Sequence, residues 1–356
     1  MAKRICLIGG AGFIGHNLAV ALRREGHEVS VVDFLAINNE MTLIDARNRN
    51  KNTELYLWMV QERQRMFLDH DIPLYVQDAR NYHELCKLLA DEIRPEVVVQ
   101  LAAVSHAGRS NKDPFSTFDH SFRTLENALD NSISRLNALD SSVIGAGEVS
   151  PLIEHFVYFS SSTVLGDFES DTVTEETICR PKGIYAALKL SGELLTKAYN
   201  QIAGLPYTII RPSALYGPRC VSRRVGQIYI ESAMQGGVLE IRGDGSSKSD
   251  FTCIDDLVQG LQKIIKSPRS RNETFNITAG EGRRLKDLAK IVQVNFPGTL
   301  IQYQKKDDLF PDRGTLSIEK ARKLLGYSPQ FKLETGIPAL IRWYREDVPK
   351  NLIRKG

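Results

Sequence analysis

The first 33 residues contain the pattern that most restricts the fold: a short apolar run, a cluster of glycines and a second apolar run. Residues 4–8 (RICLI) are predicted to form a buried strand, residues 13–25 an amphipathic helix and residues 29–32 (VSVV) a second strand. Strands joined by such a crossover run parallel, because antiparallel neighbours need only a tight turn. The chain therefore opens with one strand–helix–strand unit of a parallel sheet.

The same alternation continues as far as residue 210. Further strands are predicted at 74–76, 97–101, 155–159 and 207–210, and helices at 82–91, 115–139 and 185–201. This order is typical of a doubly wound α/β sheet. Turn residues become denser after that point. We therefore expect a Rossmann-type domain over 1–210 and a smaller C-terminal α/β substrate lobe over 211–356, with a return to the first domain near 250–265.

Two stretches interrupt the alternation. Residues 45–70 are rich in Arg and Asn and then become amphipathic, and residues 130–150 are rich in Ser and Gly. A surface helix and a mobile loop are the favoured interpretations, because loops tolerate insertions. A lid or an assembly surface is the alternative for each.

Composition argues against several classes of function. The 46 basic and 43 acidic residues leave a formal charge of +3, which gives no case for binding nucleic acid or an anionic membrane. The five cysteines are scattered, so we expect reduced thiols, no metal site and a cytoplasmic protein. The first apolar run is too short for a signal peptide, and no run is long enough to span a membrane.

The segment GGAGFIG carries glycines at positions 9, 12 and 15. Gly9 allows the tight turn after the strand, Gly12 lets backbone N–H groups approach a pyrophosphate, and Gly15 lets helix and strand pack closely. Asp33 ends the next strand, where a carboxylate accepts hydrogen bonds from a ribose 2′-OH and repels a 2′-phosphate. The pattern predicts NAD rather than NADP. The alternative is that Asp33 only caps the loop.

Tyr185 and Lys189 are spaced YxxxK on a predicted helix, so both side chains lie on one face. A nearby ammonium and the positive charge of NAD favour the phenolate and lower the tyrosine pKa from about 10. The spacing alone is common. It gains weight from the hydroxyls of residues 160–163, which follow a strand at the edge where doubly wound sheets bind ligands. A hydroxyl there can hold an alcohol that is being oxidised.

Motifs in one order along nearly the whole chain carry a resemblance to a known family. They are GGAGFIG (9–15), Asp33, Asp78, LAA (101–103), SSSTVLG (160–166), YAALK (185–189), RPSALYGP (211–218), GDG (243–245), SDFTCIDD (249–256) and KARKLLGYSP (320–329). In these motifs the chain resembles the extended short-chain dehydrogenase/reductases, in the NAD-dependent branch of nucleotide-sugar epimerases and dehydratases. The two inserted stretches lie outside the common pattern.

The resemblance implies a role for each matching position. Ser161, Tyr185 and Lys189 would be catalytic, with Tyr185 as the base. Tyr185 and Lys189 would also contact the cofactor, and Asp78 would contact the adenine amine. The other implied cofactor contacts are Gly9, Gly12, Phe13, Ile14, Gly15, Asp33, Ala79, Leu101, Ala102, Ala103, Pro212 and Ser213. The candidate substrate contacts are His106, Ser162, Arg219, Arg224 and Arg313. His106 could equally be an ordinary loop residue, and each arginine could equally be an ordinary surface residue.

Departures from the family pattern bear on the reaction. Dehydratases of this branch carry Asp-Glu after the catalytic Ser/Thr, whereas this chain has Ser162 and Thr163, neither of which can take a proton from carbon. These two residues therefore argue against dehydration and, less strongly, against decarboxylation. The usual sugar–diphosphate residues are also replaced, and arginines are candidate substitutes because a guanidinium grips phosphate oxygens in pairs.

The sequence thus predicts an NAD-dependent epimerase that acts on a nucleoside-diphosphate sugar at C4 through a 4-keto intermediate. A decarboxylase, dehydratase or reductase of the same family is the alternative, and a non-catalytic NAD-binding regulator is the second alternative. The resemblance also implies a homodimer, paired through the helices at 115–139 and 185–201.

Overall fold

The computed structural model describes residues 2–45, 47, 50–104, 107–135, 149–305, 311 and 313–353. The strands are β1 (Arg4–Ile8), β2 (Glu28–Asp33), β3 (Leu74–Val76), β4 (Val97–Gln100), β5 (Ile133–Arg135), β6 (Val149–Pro151), β7 (His155–Phe159), β8 (Thr172–Val173), β9 (Tyr207–Arg211), β10 (Leu215–Tyr216), β11 (Leu239–Arg242), β12 (Lys248–Asp250), β13 (Thr252–Cys253), β14 (Glu273–Asn276), β15 (Gly282–Arg284), β16 (Ile301–Gln304) and β17 (Thr315–Leu316).

The α-helices are α1 (Phe13–Arg24), α2 (Glu40–Ile44), α3 (Thr53–Asp69), α4 (Tyr82–Lys87), α5 (Ala107–Lys112), α6 (Pro114–Phe118), α7 (Thr124–Asp130), α8 (Gly183–Ala203), α9 (Val225–Met234), α10 (Ile254–Lys266), α11 (Leu285–Asn295), α12 (Glu319–Leu325) and α13 (Leu333–Glu346). Wider π-helical turns cover Leu88–Ile93 and Asp119–Arg123, and short 3₁₀ turns cover Ser162–Leu165, Pro268–Ser270 and Lys350–Leu352.

A seven-stranded parallel sheet forms the centre of the molecule, in the order β14-β9-β7-β4-β1-β2-β3. Successive residues of β1 face opposite sides of it. Ile5 and Leu7 pack with α1 and α10 on one face, and Cys6 and Ile8 pack with α7 on the other. Strands buried on both faces need continuous apolar runs, and this explains the runs in the sequence. The predicted α/β, Rossmann-type fold is confirmed.

The residues after 211 divide between two cores. Helix α10 packs against α1, and β14 is an edge strand of the central sheet. The apolar faces of α9, α11 and α13 instead enclose a separate core with β11. The domain boundary at 210/211 stays a prediction.

The first inserted stretch forms more than a surface helix, and that favoured interpretation was wrong. Helix α3 buries Leu55, Tyr56 and Met59 in the core of the C-terminal lobe, and Trp58 packs against Trp343 of α13 with ring centroids 6.1 Å apart. The apolar stripe of α3 covers this lobe, so the helix is half-buried and joins the two parts of the chain.

The predicted helix at 115–139 was also too long. The structure has α6, a π-helical turn and α7, which ends at Asp130. Ser132 then donates to the carbonyl oxygen of Ala128 (2.6 Å), and Ile133 begins the antiparallel pair β5–β6. A β-branched residue next to a local side-chain hydrogen bond favours this exit from the helix. Of the second inserted stretch, residues 136–148 lie outside the described residues.

Within the described ranges, no helix combines the length and the apolar character that crossing a bilayer requires.

Candidate active site

In the glycine-rich loop between β1 and α1, protein atoms leave no room for a side chain at Gly9 or Gly15, but they leave space beside Gly12. Gly9 has φ +80°, and a Cβ there would lie 2.4 Å from the backbone nitrogen of Ala102. A Cβ on Gly15 would lie 2.3 Å from the carbonyl oxygen of Gly10. A Cβ on Gly12 would meet only the Gly9 oxygen, at 3.5 Å. The protein itself thus requires Gly9 and Gly15, and the space beside Gly12 is left for a ligand.

The start of α1 supplies donors to that space. Gly12 is its N-cap residue and offers no side-chain cap. The first N–H groups of a helix have no partner inside the helix, and they carry partial positive charge. Such a terminus binds phosphate readily. This donor set fits the pyrophosphate of a dinucleotide.

One open cavity of about 970 Å³ surrounds this loop, and we call it the glycine-loop cavity. The predicted cofactor residues that line it are Gly9, Gly12, Phe13, Ile14, Gly15, Asp33, Asp78, Ala79, Leu101, Ala102 and Ala103. Its lining also includes residues that the sequence did not suggest, among them Phe34, Asn38, Arg63, Gln77, His120 and Thr124. Pro212 and Ser213 lie elsewhere, in the adjoining cavity described below.

Asp33 both caps the loop and faces the glycine-loop cavity. Its carboxylate accepts hydrogen bonds from the backbone N–H of Ala11 (3.0 Å) and of Leu35 (2.8 Å). Burial raises the pKa of Asp33, and these two bonds and the charge of Arg63 oppose the rise. Capping of the loop and binding of a ribose are therefore compatible roles for Asp33, because the capping carboxylate also lines the cavity.

Asp78 is held in the same wall by a neighbouring arginine. Arg80 donates to its carboxylate through Nε (3.0 Å) and Nη2 (2.6 Å), and also to Asp119 through Nη1 (2.5 Å). Burial raises the pKa of Asp78, but the bonds from Arg80 outweigh it and the net shift is downward. An ionised carboxylate in this position suits an amine donor such as that of adenine.

A second cavity of about 1440 Å³ adjoins the first, and we call it the tyrosine cavity. The two share Ile14, Leu101, Ala103, Ser222 and Arg224 in their walls. The predicted residues that line the tyrosine cavity are Ser161, Ser162, Tyr185, Lys189, Pro212, Ser213, Arg224 and Arg313. The fold thus brings the predicted catalytic residues together, next to the space that the glycine loop encloses.

Lys189 lies about one helical turn after Tyr185 on α8 and is held by contacts with β7. Its Nζ donates to the carbonyl oxygen of Phe159 (2.5 Å) and lies 5.2 Å from the centre of the Tyr158 ring. Burial lowers the pKa of Lys189 to about 8, and the charge of Glu193 opposes this. The side chain is held in place before any ligand binds.

Tyr185 and Ser161 line the tyrosine cavity together. Burial raises the pKa of Tyr185, whereas the nearby Ser161 hydroxyl and the charges of Arg224 and Arg313 lower it. The sequence argument assigned this lowering to Lys189 and the cofactor. The structure adds two arginines that act on the phenol directly.

Polar atoms without a protein partner face the same space. Within the described chain, Ser162 Oγ, Ser213 Oγ and Arg224 Nε are buried and make no hydrogen bond. Buried polar groups are nearly always paired, by protein, water or ligand. These three atoms are therefore candidates for contacts with a polar substrate.

The tyrosine cavity lacks acidic side chains. None of the described residues that line it is Asp or Glu, and its charged residues are Lys189, Arg223, Arg224 and Arg313. The site can therefore hold anions and move a proton through Tyr185, and its described lining offers no carboxylate to serve as acid or base. No group of three or more metal-ligating side chains occurs in the part of the chain that the structure covers.

Arg219 does not belong to this site, and its prediction as a substrate contact needs correction. It lines neither of the two cavities. Its Nε donates to His16 Nε2 (3.2 Å), and its guanidinium lies 5.9 Å from the centre of the Trp343 ring. The left-handed backbone at Arg219 (φ +59°) accompanies this different direction of the side chain. His106 lies outside the described residues.

Sequence reasoning missed Arg63. It lies on α3 among the buried positions 56, 59, 60 and 67, a helical spacing that otherwise carries only apolar residues. A charged residue in the apolar stripe of a predicted helix was the signal that could have found it.

Comparison with known proteins places the chain in a family. A model described as the NAD dependent epimerase/dehydratase family matches residues 5–278. Protein CapI of Staphylococcus aureus is 26% identical, over 96% of this chain and 98% of that protein. UDP-glucuronic acid decarboxylase 1 of Xenopus tropicalis is 28% identical, over 97% of this chain and 73% of that protein.

Solved structures agree with the fold. UDP-glucuronic acid 4-epimerase of Bacillus cereus, solved with UDP-glucuronic acid and NAD, superimposes with a TM-score of 0.79 at 24% identity, over 96% of this chain and 99% of that one. Because the family model spans most of the sequence and the glycine-rich loop has the geometry that the cofactor needs, this protein belongs to the NAD-dependent epimerase/dehydratase family of extended short-chain dehydrogenase/reductases.

Proposed function

We propose that the protein is an epimerase that inverts C4 of a nucleoside-diphosphate sugar through a 4-keto intermediate. One observation carries the proposal. The tyrosine cavity brings Ser161 and Tyr185 together beside the glycine-loop cavity, and no described residue of its lining is a carboxylate. This pair suits the oxidation and reduction of an alcohol, and none of the described lining residues offers an acidic side chain for an elimination.

Tyr185 takes the proton of the C4 hydroxyl, and Ser161 holds that hydroxyl through a hydrogen bond. NAD supplies a hydride acceptor and donor there when it is bound. Lys189 is positioned to hold the cofactor side of the site and to add positive charge near the phenol. Inversion follows when the ketone turns its other face to the site before Tyr185 returns the proton. Contacts to the remote diphosphate orient the sugar and limit its movement.

Dehydration needs a base for C5–H and an acid for the leaving hydroxyl, roles that suit carboxylates with tuned pKa values. Ser162 and Thr163 stand in those places. Ser162 is buried, and Thr163 donates to Ser161 Oγ (3.0 Å). Neither residue has an activating partner among the described contacts. A reaction that leaves the mass of the sugar unchanged is therefore favoured.

Arg224 and Arg313 support an anionic substrate. Both line the tyrosine cavity, and the Nε atom of Arg224 has no partner in the described protein. Guanidinium groups bind phosphate and carboxylate oxygens in pairs. The diphosphate of a nucleotide sugar provides such oxygens, and so does the carboxylate of a uronic acid.

A panel of UDP-, GDP-, CDP- and dTDP-sugars, with product analysis by NMR and mass spectrometry, tests the proposal. It includes UDP-glucose and UDP-glucuronic acid, which the solved relatives bind. We expect a C4 epimer of one of them at unchanged mass. Loss of about 18 Da would indicate dehydration, and loss of about 44 Da decarboxylation, the masses of the eliminated water and carbon dioxide.

The remaining alternatives give different results. A reductase exchanges its cofactor with free NADH, whereas an epimerase retains NAD through purification. A non-catalytic regulator binds NAD and converts no sugar in the panel. The Ser161, Tyr185 and Lys189 arrangement favours an enzyme, because binding alone does not need it.

A further inference from the structure

We propose that Arg63, on the inserted helix α3, is a cofactor-binding residue whose guanidinium neutralises the pyrophosphate of NAD. The proposal rests on the cofactor and not on the epimerase reaction. It therefore stands or falls separately from the proposed function.

The position of Arg63 is the first support. Its side chain is almost fully buried, with 1% exposed, yet it lines the glycine-loop cavity. Its Nη1 donates to the carbonyl oxygen of Ala11 in the glycine-rich loop (3.4 Å). Its Nε donates to the carbonyl oxygen of Arg219 (3.0 Å), and Nη2 donates to the same oxygen. The guanidinium therefore joins the loop to the C-terminal lobe.

The charge of Arg63 is the second support. Its hydrogen bonds to described residues all go to backbone carbonyl oxygens and not to a carboxylate, although a buried cation is costly without a counter-ion. Among the described carboxylates, Asp33 is the one whose charge acts on it, and that carboxylate is already bound by two backbone N–H groups. Burial lowers the pKa of Arg63 to about 10, so it stays protonated at neutral pH.

The surroundings of Arg63 are electropositive. Its Nε donates to the carbonyl oxygen of Arg219, and the Nε atom of Arg219 donates to the buried His16. Burial, together with the charges of Arg63 and Arg219, lowers the pKa of His16 well below its ordinary value. With Gly12 uncapped at the start of α1, the region combines a buried cation with a helix N-terminus. This chemistry suits a diphosphate.

The helix that carries Arg63 is fixed by a buried network. Glu231 of α9 accepts hydrogen bonds from Tyr56 (2.7 Å) and Asn52 (2.8 Å) at the start of α3, and from Tyr344 of α13 (2.8 Å). These contacts hold the helix against the C-terminal lobe. Arg63 thereby couples the position of that lobe to the cofactor, so its loss would also speed the release of NAD.

Binding of cofactor fragments tests the proposal. The variant is Arg63→Gln, and the matched control is Arg65→Gln, because Arg65 lies on the same helix with 71% of its side chain exposed. Affinities for NAD⁺, ADP-ribose and adenosine are measured by calorimetry, with the amount of NAD that copurifies. We expect Arg63→Gln to weaken NAD⁺ and ADP-ribose about 10- to 100-fold and adenosine less than about twofold. Arg65→Gln should match the wild type.

Two results would overturn the proposal. ADP-ribose affinity unchanged in Arg63→Gln would remove the contact, and an equal loss for adenosine and ADP-ribose would show a structural role only. If Arg63→Gln does not fold, Arg63→Lys replaces it, because it keeps the charge and loses the planar fork. We then expect about a 3- to 10-fold loss for ADP-ribose with adenosine unchanged, and wild-type affinity for ADP-ribose would contradict the proposal.

Discussion

Thr163 donates a hydrogen bond from its hydroxyl to Ser161 Oγ, over 3.0 Å. A serine hydroxyl has one proton to give, and with Thr163 as its donor Ser161 keeps that proton for a group in the tyrosine cavity, such as the C4 hydroxyl of the proposed substrate. The residue in the place of the dehydratase base thus orients Ser161, the proposed catalytic serine. This relationship links the departure in the sequence to a reaction that only moves hydride and hydroxyl protons.

Tyr185→Phe should reduce turnover about 10²- to 10⁴-fold, because the variant lacks the group that exchanges the C4 hydroxyl proton. NAD binding and the thermal midpoint should change little. Tyr199→Phe is the control, since Tyr199 lies on the same helix and its hydroxyl bonds to Asp130 (3.2 Å) instead. Steady-state rates within a few-fold of the wild type in Tyr185→Phe would remove the phenol from the mechanism.

Lys189 should make stability depend on pH in one window. Its pKa is about 8 in the folded protein against an ordinary value of 10.5, so between these values the unfolded chain binds the proton that the native protein has released. The contribution of Lys189 to the free energy of unfolding therefore rises with pH from 8 to 10.5. Urea unfolding of the wild type and Lys189→Met across this window measures the difference, and parallel curves would contradict burial of the ammonium.

Arg224→Gln should raise the KM for the nucleotide sugar about tenfold, because it removes a charged donor from the tyrosine cavity. The matched change Arg219→Gln should leave KM near the wild-type value, since that side chain lies against His16 and Trp343. Steady-state kinetics of both variants checks this. A larger effect at Arg219 than at Arg224 would reverse the assignment of the two arginines.

A homodimer paired through α8 is expected, because that helix exposes Ile184, Leu194 and Ile202, and Phe115 of the neighbouring α6 is 84% exposed. Large exposed apolar patches mark interaction surfaces. Leu194→Glu should produce monomers in sedimentation experiments. Leu68→Glu on α3 also charges an exposed leucine and should not. A wild type that is monomeric at micromolar concentration would refute the dimer.

Local signals in the sequence were sufficient to find the glycine-rich loop and the residues proposed as catalytic, which line two adjoining cavities. Gly15 is required by a contact with Gly10 nearby in the sequence, Gly9 by a contact with Ala102 after β4, which neighbours β1 in the sheet, and the YxxxK pair depends only on helix geometry. The direction of Arg219 depends on a left-handed backbone and on a tryptophan far along the chain, which no local pattern contains. Burial of Arg63 likewise depends on how α3 packs against both lobes.

The end of the helix after LAA illustrates the same limit. The sequence keeps the apolar spacing of a helix past Asp130, but residues Ile133–Arg135 form strand β5 and pair with β6 instead. Pairing between distant segments overrides helix propensity, which is a weak preference.

The central claim is that hydride leaves C4 of the sugar and returns to it. The most direct test follows the C4 hydrogen of a nucleotide sugar that the protein converts, in a reaction run in D₂O. If hydride leaves C4 and returns to it, the purified epimer should carry no deuterium on carbon and should have the mass of the substrate. A product heavier by about 1 Da on carbon would show that a C–H proton had exchanged with solvent, and it would contradict hydride return at C4.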